Sequence, residues 1–182
     1  MSTFTTPTRD QVGPANQAIF DQLQKQVGFV PNLYAAYAKS DSALGDYLSL
    51  QNRKSSLNAR EREVINLAVS QVNDCRYCLA AHTAIGKMNG FTEDQTLELR
   101  QGRASWNPKL DALAAFARQT TIERGRPSAA TLDAFYNAGY TEENLVDAII
   151  IIGDKTISNY LHGVTQVPVD FPAAPALEEA TA

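Results

Sequence analysis

Several common features are scarce or missing in this chain of 182 residues, and each absence excludes a class of protein. No run of Lys or Arg occurs and the formal net charge is -4, which argues against a nucleic-acid-binding surface. The longest apolar run, Ala148–Ile152, is far shorter than the roughly 20 residues of a membrane span. The first nine residues are polar and contain no apolar core of a secretory signal. We therefore expect a protein of the cytoplasm with no membrane and no nucleic-acid partner.

Motifs of several enzyme classes are also missing. The chain contains no glycine-rich phosphate loop, no serine-elbow motif and no second Cys-x-x-Cys. Strand signals are nearly absent. The Ile149–Ile152 run is compatible with a buried strand, but it lies within a capped segment of some twenty residues, and this length favours a buried central helix. With 44% hydrophobic and 20% charged residues, the chain should form one globular, all-α domain.

Apolar spacing and capping residues divide the chain into helices. We expect residues 1–167 to form a single helical domain, followed by an extended or disordered tail over 168–182, where Pro and Ala are frequent. Asn58 with Glu61, and Thr92 with Gln95, have the spacing of capping boxes. The predicted helices are 14–26, a short one ending at Tyr37, one capped by Ser40 or Asp41, and others starting at Asn58, near Cys75, and at Thr92, Asn107, Pro127 and Thr141.

Cys75 and Cys78 are the only cysteines, and His82 follows them at helical spacing. On a helix the three side chains share one face. Cα atoms three residues apart on a helix are about 5 Å from each other, within the roughly 4.4–6.8 Å that a disulfide spans. So short a loop gives a disulfide little stabilising value. The spacing therefore favours a bond that is made and broken.

Asn73 and Asp74 precede the pair, and both are good N-caps. A cap at either residue places both thiols in the first turn of a new helix, where the helix dipole favours a thiolate. His82 can then take a proton from the thiol or return one to a leaving group.

Glu63 lies on the preceding helix in a charged segment that also contains Arg60, Glu61 and Arg62. Spacing alone assigns it to a solvated face. It also lies four residues before Leu67, on a partly buried side, so a place in the site remains open.

Two other interpretations of the cysteine pair remain open at this point. The thiols could be two small buried hydrophobic side chains. Alternatively, Cys75, Cys78, His82 and Glu63 could supply four zinc ligands, although structural zinc sites usually take the close cysteine pair from a turn and use only Cys and His. The other histidine, His162, has no such partners and is expected to be structural, near a helix C-terminus where a cation is favoured.

The pattern of Glu63, Cys75-x-x-Cys78, His82 and then Gly90-Phe91-Thr92-Glu93 resembles the alkylhydroperoxidase D-like branch of the carboxymuconolactone decarboxylase superfamily. The core of this resemblance covers residues 57–99. The segment Gly28-Phe29-Val30-Pro31-Asn32-Leu33 is also similar to the peroxidase-related members of about this length.

This resemblance implies an all-helical bundle with the redox motif at the N-terminus of a central helix, assembled as a homo-oligomer, commonly a trimer or a hexamer. It also implies an antioxidant, peroxiredoxin-type enzyme that reduces hydroperoxides with no bound metal or organic cofactor. Cys78 corresponds to the peroxide-attacking cysteine, and Cys75 to the resolving cysteine, nearer the surface. His82 and Glu63 match the proton-relay residues. An external dithiol, with a lipoyl-bearing protein as the family precedent, would reduce the pair again.

One position departs from the family pattern. The best-studied members carry a histidine immediately before the second cysteine, and this chain has Tyr77 there. A phenol, with its pKa of about 10, is a poor base near neutrality. We therefore expect the Tyr77 hydroxyl to act at most as a hydrogen-bond partner, with weaker peroxidase activity or a different substrate. A redox-sensing oligomer without turnover remains an alternative, whereas decarboxylation is not expected because those superfamily members lack the thiol pair.

Overall fold

The computed structural model describes residues 4–177, and within them the chain forms nine α-helices, one 3-10 turn at Arg9–Gln11 and no strand. The prediction of an all-α protein is therefore confirmed. The helices are α1 (Pro14–Val27), α2 (Asn32–Tyr37), α3 (Ala43–Gln51), α4 (Ala59–Val72), α5 (Arg76–Met88), α6 (Glu93–Arg100), α7 (Pro108–Ile122), α8 (Ala129–Asn137) and α9 (Glu142–Thr165).

Capping chemistry sets most of the helix starts, as local hydrogen bonding requires. At the start of α4, the Asn58 side chain accepts the Glu61 N–H at 3.0 Å, and the Glu61 carboxylate accepts the Asn58 N–H at 2.9 Å. The box at Thr92 forms in the same way. The predicted cap of α3 was wrong by one or two residues, because Ser42 occupies the N-cap position.

Two hydrophobic clusters hold the helices together. The larger one surrounds α4, which packs against α5, α6, α7 and α9. The smaller one joins α1, α2 and α3 to the start of α5, and it contains Cys75, Tyr77 and Cys78. The redox pair thus lies inside the smaller core, next to the central helix α4.

The Ile149–Ile152 run is helical, as its length indicated, and α9 extends past it to Thr165. Only one side of α9 is buried in this chain, since Ile151 and Ile152 are buried whereas Ile149 is exposed. No helix within residues 4–177 combines the length and the apolar character needed to cross a bilayer.

The segment after α9 is extended and packs onto the helices as far as residue 177. The Asp170 carboxylate accepts the Asn32 N–H at 2.6 Å, and the Pro175 carbonyl accepts a bond from the Arg100 guanidinium at 2.6 Å. The Phe171 ring packs edge-on against Tyr77 at 5.6 Å between ring centres. The rest of the predicted tail, 178–182, lies outside the described residues. The tail thus contributes a side chain to the region around the cysteine pair.

Candidate active site

The cysteine pair lies where the chain turns from α4 into α5. Asn73 ends α4, and Asp74 has a left-handed backbone conformation with φ of 48°. Neither residue caps α5, so the predicted cap was wrong. Cys75 itself is the N-cap, and its sulfur accepts the Cys78 N–H at 3.3 Å. Both thiols nevertheless lie at the positive end of the helix, as predicted.

The two sulfur atoms are 2.7 Å apart and are not bonded to each other. A disulfide bond is about 2.05 Å long. Less than about 1 Å of side-chain movement would therefore join the sulfurs, with no change in the fold.

The two thiols differ in acidity because they share one hydrogen bond. The Cys75 thiol donates to the Cys78 sulfur, and this bond together with the charges of Lys155 and His82 lowers the pKa of Cys78 in spite of its burial. The same bond and burial raise the pKa of Cys75. This difference in pKa favours the thiolate form at Cys78 over the thiolate form at Cys75.

His82 and Glu63 form a buried pair beside the thiols. The His82 Nδ1 atom lies 2.8 Å from a Glu63 carboxylate oxygen, and the Asn66 amide donates to the other oxygen at 2.9 Å. Burial raises the pKa of Glu63, but the charge and hydrogen bond of His82 and the Asn66 amide outweigh it, so the net shift is downward. Glu63 is only 6% exposed and His82 8%. The solvated-face interpretation of Glu63 was therefore wrong, and its assignment to the site agrees with this geometry.

A cleft of about 640 Å³ reaches this group of residues. Cys78, His82 and Glu63 belong to its walls. Apolar and aromatic side chains supply much of the rest, among them Leu33, Tyr34, Tyr47, Ile85 and Phe171.

Exposure does not separate the two cysteines, so the expectation that Cys75 lies nearer the surface stays a prediction. Both cysteines are 2% exposed, and of the two only Cys78 is part of the cleft wall within the described region. Both cysteines belong to the smaller core.

Two functional candidates on α9 were missed at the sequence level. Lys155 is 2% exposed and lines the cleft. Asn159, one turn later, lies beside both sulfurs. Lys155 follows Ile151 by four residues on the buried face of α9. A charged residue on an apolar helical face was the available signal.

The Tyr77 hydroxyl is bonded to the backbone of α2. This hydroxyl accepts the Leu33 N–H at 3.3 Å, and burial together with the Asp170 carboxylate raises the pKa of Tyr77. Its ring lies 5.5 Å from His162 and 5.6 Å from Phe171. The hydroxyl therefore acts as a hydrogen-bond partner, as expected.

His162 is buried, and burial lowers its pKa. It lies in the last turn of α9, near the helix C-terminus as expected. Among residues 4–177 no three or more His, Cys, Asp or Glu side chains come together in a way that could hold a metal ion. The zinc interpretation has no support from this geometry.

Residues 35–121 match the family model described as the carboxymuconolactone decarboxylase family. A protein of Bacillus subtilis (strain 168), "Uncharacterized protein YdfG", is 31% identical in an alignment over 109 residues that covers 55% of this chain and 69% of that protein.

Two solved structures share the fold. An "alkylhydroperoxidase AhpD core: uncharacterized peroxidase-related protein" from Ralstonia eutropha JMP134 has a TM-score of 0.83 at 22% identity, covering 93% of this chain and 92% of that one. An "uncharacterized peroxidase-related protein" from Silicibacter sp. TM1040 has a TM-score of 0.79 at 24% identity, covering 92% and 91%. At these identities the likeness concerns the fold, and the predicted alkylhydroperoxidase D-like bundle is confirmed.

Proposed function

Because the chain belongs to the carboxymuconolactone decarboxylase family, we propose that it is a thiol-dependent oxidoreductase that reduces hydroperoxides with its cysteine pair. The observation that carries this proposal is the asymmetry of the pair. The pKa of Cys78 is lowered and this residue lines the cleft, while the Cys75 sulfur lies 2.7 Å from the Cys78 sulfur and the pKa of Cys75 is raised. A dithiol peroxidase needs a nucleophile that faces the substrate and a protonated thiol beside that nucleophile.

In the first step the Cys78 thiolate attacks the distal oxygen of the hydroperoxide. A sulfur–oxygen bond forms, the O–O bond breaks, and the electron pair leaves with the alkoxide. His82, which took the Cys78 proton when the thiolate formed, returns that proton to the alkoxide and releases an alcohol. Glu63 holds the Nδ1 side of the His82 ring and so fixes which nitrogen faces the reaction. The product is a sulfenic acid on Cys78.

In the second step the Cys75 thiol attacks the Cys78 sulfenic acid. A disulfide forms, and the departing hydroxide takes the Cys75 proton and leaves as water. The sum is one hydroperoxide and two thiols converted to one alcohol, one water and one disulfide. An external dithiol, for which a lipoyl-bearing protein is the family precedent, returns two electrons by thiol–disulfide exchange. Such a cycle belongs in a reducing compartment, so we place the protein in the cytoplasm.

The cleft favours an organic hydroperoxide over hydrogen peroxide. Its volume of about 640 Å³ falls within the range of sites for small organic molecules, and its aromatic walls suit an alkyl or aryl substituent.

We also propose that the protein assembles with copies of itself through α9, as a trimer or a hexamer. Five apolar side chains follow the outer side of this helix at spacings of three, four and eight residues, and all are exposed in the single chain: Val146, Ile149, Ile157, Tyr160 and Val164. A stripe of this length is typical of a subunit interface.

The proposed chemistry is tested by labelling with a sulfenic-acid probe after substoichiometric hydroperoxide. We expect Cys75→Ser to accumulate label on Cys78, the wild type to lose its label as the disulfide forms, and Cys78→Ser to remain unlabelled. Label on Cys75, or no label in Cys75→Ser, would contradict the assigned roles. Steady-state hydroperoxide consumption with a dithiol donor then separates an enzyme from a redox sensor without turnover.

A further inference from the structure

Lys155 is a buried cation to which the steps proposed above assign no role. It lies in the middle of α9 and is 2% exposed. Within residues 4–177 no carboxylate lies within salt-bridge distance of its ammonium group. Burying an ion without a partner carries a large desolvation penalty. Such a residue is therefore unlike an ordinary core residue, and the anion that it offsets should come from the site.

The position of Lys155 in the cleft identifies that anion. Lys155 and Cys78 both belong to the cleft wall, and the ammonium charge favours the thiolate form of Cys78. Asn159, one turn further along α9, donates to the Ser70 hydroxyl at 3.3 Å and accepts from the Asn73 amide at 2.9 Å. These bonds fix the register of α9 against the end of α4, just before the cysteine pair. The distance of Lys155 from the thiols is thus set by the fold.

Other titratable groups also surround the Cys78 sulfur. They come from α5 itself, from α4, from α2 and from α9, and they are Cys75, His82, Glu63, Tyr34, Tyr37 and Asp154. Glu63 is already bonded to His82 and Asn66. The charge of Lys155 also helps to lower the pKa of Glu63, but among the described residues no carboxylate lies within salt-bridge distance of the Lys155 ammonium group.

We propose that Lys155 is the anion-stabilising group of the cleft, which balances first the Cys78 thiolate and then the oxyanion that leaves the substrate. The second half of this inference rests on the proposed function. During the attack the negative charge moves from sulfur to the departing oxygen, and the sulfenic acid is neutral. A cation on the cleft wall, not held by a carboxylate, favours the charge at both positions. His82 then protonates the oxyanion, and Lys155 itself transfers no proton.

The effect of Lys155 on the reaction rate should depend on the leaving group of the hydroperoxide. An alkoxide is strongly basic and gains most from a neighbouring cation. The carboxylate that leaves a peracid is a much weaker base and needs less stabilisation. We therefore expect Lys155 to matter more for alkyl hydroperoxides than for peracids.

The first test measures the pH dependence of Cys78 alkylation by iodoacetamide, with mass spectrometry to locate the label. Lys155→Met keeps the length of the side chain and removes the charge, and Lys155→Arg keeps the charge. We expect the midpoint to rise by about one pH unit or more in Lys155→Met and to stay near the wild-type value in Lys155→Arg. Lys87→Met, at a half-exposed position on α5, is the matched control and should leave the midpoint unchanged. An unchanged midpoint in folded Lys155→Met would overturn the assignment. Should Lys155→Met fail to fold, Lys155→Arg decides alone. A midpoint that rises by about one pH unit or more in Lys155→Arg, although the charge is kept, would also overturn the assignment.

The second test compares sulfenic acid formation by tert-butyl hydroperoxide and by peroxybenzoic acid, at a pH where Cys78 is fully ionised in each variant. We expect Lys155→Met to slow the reaction with the alkyl hydroperoxide at least tenfold more than the reaction with the peracid. Equal losses would overturn the leaving-group half of the inference. If the wild-type protein forms no sulfenic acid with either oxidant, the proposed function is wrong, and so is the proposed role of Lys155 at the leaving oxyanion. The alkylation experiment still decides whether Lys155 stabilises the Cys78 thiolate.

Discussion

Replacing Glu63 with glutamine removes the negative charge behind His82 and preserves the size of the side chain. The two carboxylate oxygens accept one bond each, from His82 at 2.8 Å and from Asn66 at 2.9 Å. Glutamine has a single acceptor oxygen, and its amide group is a donor. With His82 and Asn66 both donating as they do to Glu63, one of these two donors then faces the glutamine NH2 group. An unsatisfied buried polar group costs about 1–3 kcal/mol, so we expect Glu63→Gln to lose this much stability at pH 7.

The loss should depend on pH in a defined direction. Burial raises the pKa of Glu63, but His82 and Asn66 lower it by more than burial raises it. The folded-state pKa of Glu63 therefore lies below its unfolded-state pKa. A carboxylate of this kind stabilises the fold above its unfolded pKa of about 4.3, and the contribution disappears as pH falls through the folded-state value. Urea unfolding at pH 7, 5 and 3.5 should therefore show a difference between wild type and Glu63→Gln that is full at pH 7 and shrinks at pH 3.5.

The same substitution should slow hydroperoxide reduction. Positioned general acid–base groups contribute about 10²–10⁴-fold, and His82 loses the carboxylate that orients it, so we expect kcat/KM to fall about 10²-fold. Glu61→Gln is the matched control, because Glu61 is also buried on α4 and glutamine still closes its capping box with Asn58. A stability difference that does not vary with pH, or a Glu63→Gln rate equal to that of Glu61→Gln, would refute the assigned role of Glu63.

Three further substitutions test the fold around the site. Asp147→Asn should lower the free energy of unfolding, measured in urea, by about 1–3 kcal/mol. The Asp147 carboxylate accepts bonds from a guanidinium, two hydroxyls and a backbone N–H of the loop before α4. An unchanged free energy of unfolding would show that water replaces these bonds. Gly102→Ala should lower the free energy of unfolding more than Gly28→Ala does. Both glycines have positive φ, which destabilises a substituted residue by about 1–2 kcal/mol. A Cβ at position 102 would also overlap the Arg118 side chain. Equal losses in thermal or urea unfolding would contradict that overlap. Tyr77→Phe should cost about 0.5–1.5 kcal/mol and leave the pH profile of Cys78 alkylation unchanged, since the hydroxyl bonds α2; a shifted profile would place the phenol in the relay.

Local chemistry explains why much of the fold could be predicted. The capping boxes at Asn58 and Thr92 join groups three residues apart, so their partners can be identified without the rest of the molecule. Helical spacing likewise joins Cys75, Cys78 and His82 on one side of α5. The same reasoning placed the break after α4 correctly but chose the wrong cap, because the left-handed conformation of Asp74 passes the capping role to Cys75.

The environment of each side chain was harder to predict. Spacing assigned Glu63 to a solvated face, and it was the resemblance that directed attention to it. Its burial depends on contacts with His82, nineteen residues away. Lys155 and Asn159 come from a helix some eighty residues after the cysteines, and no local pattern connects them to the thiols. Phe171 reaches the cleft from a segment without regular secondary structure.

The sequence by itself determined the helices, the position of a close thiol pair at a helix N-terminus, and the histidine one turn beyond it. These features depend on hydrogen bonds and side-chain spacing within one or two helical turns. Only the tertiary structure decided which thiol faces the cleft and brought the charge of Lys155 to the pair, because both depend on how other helices pack around α5. The charges of Lys155 and His82 affect the sulfur of Cys78 through space, and their effect is strong because packing excludes water there.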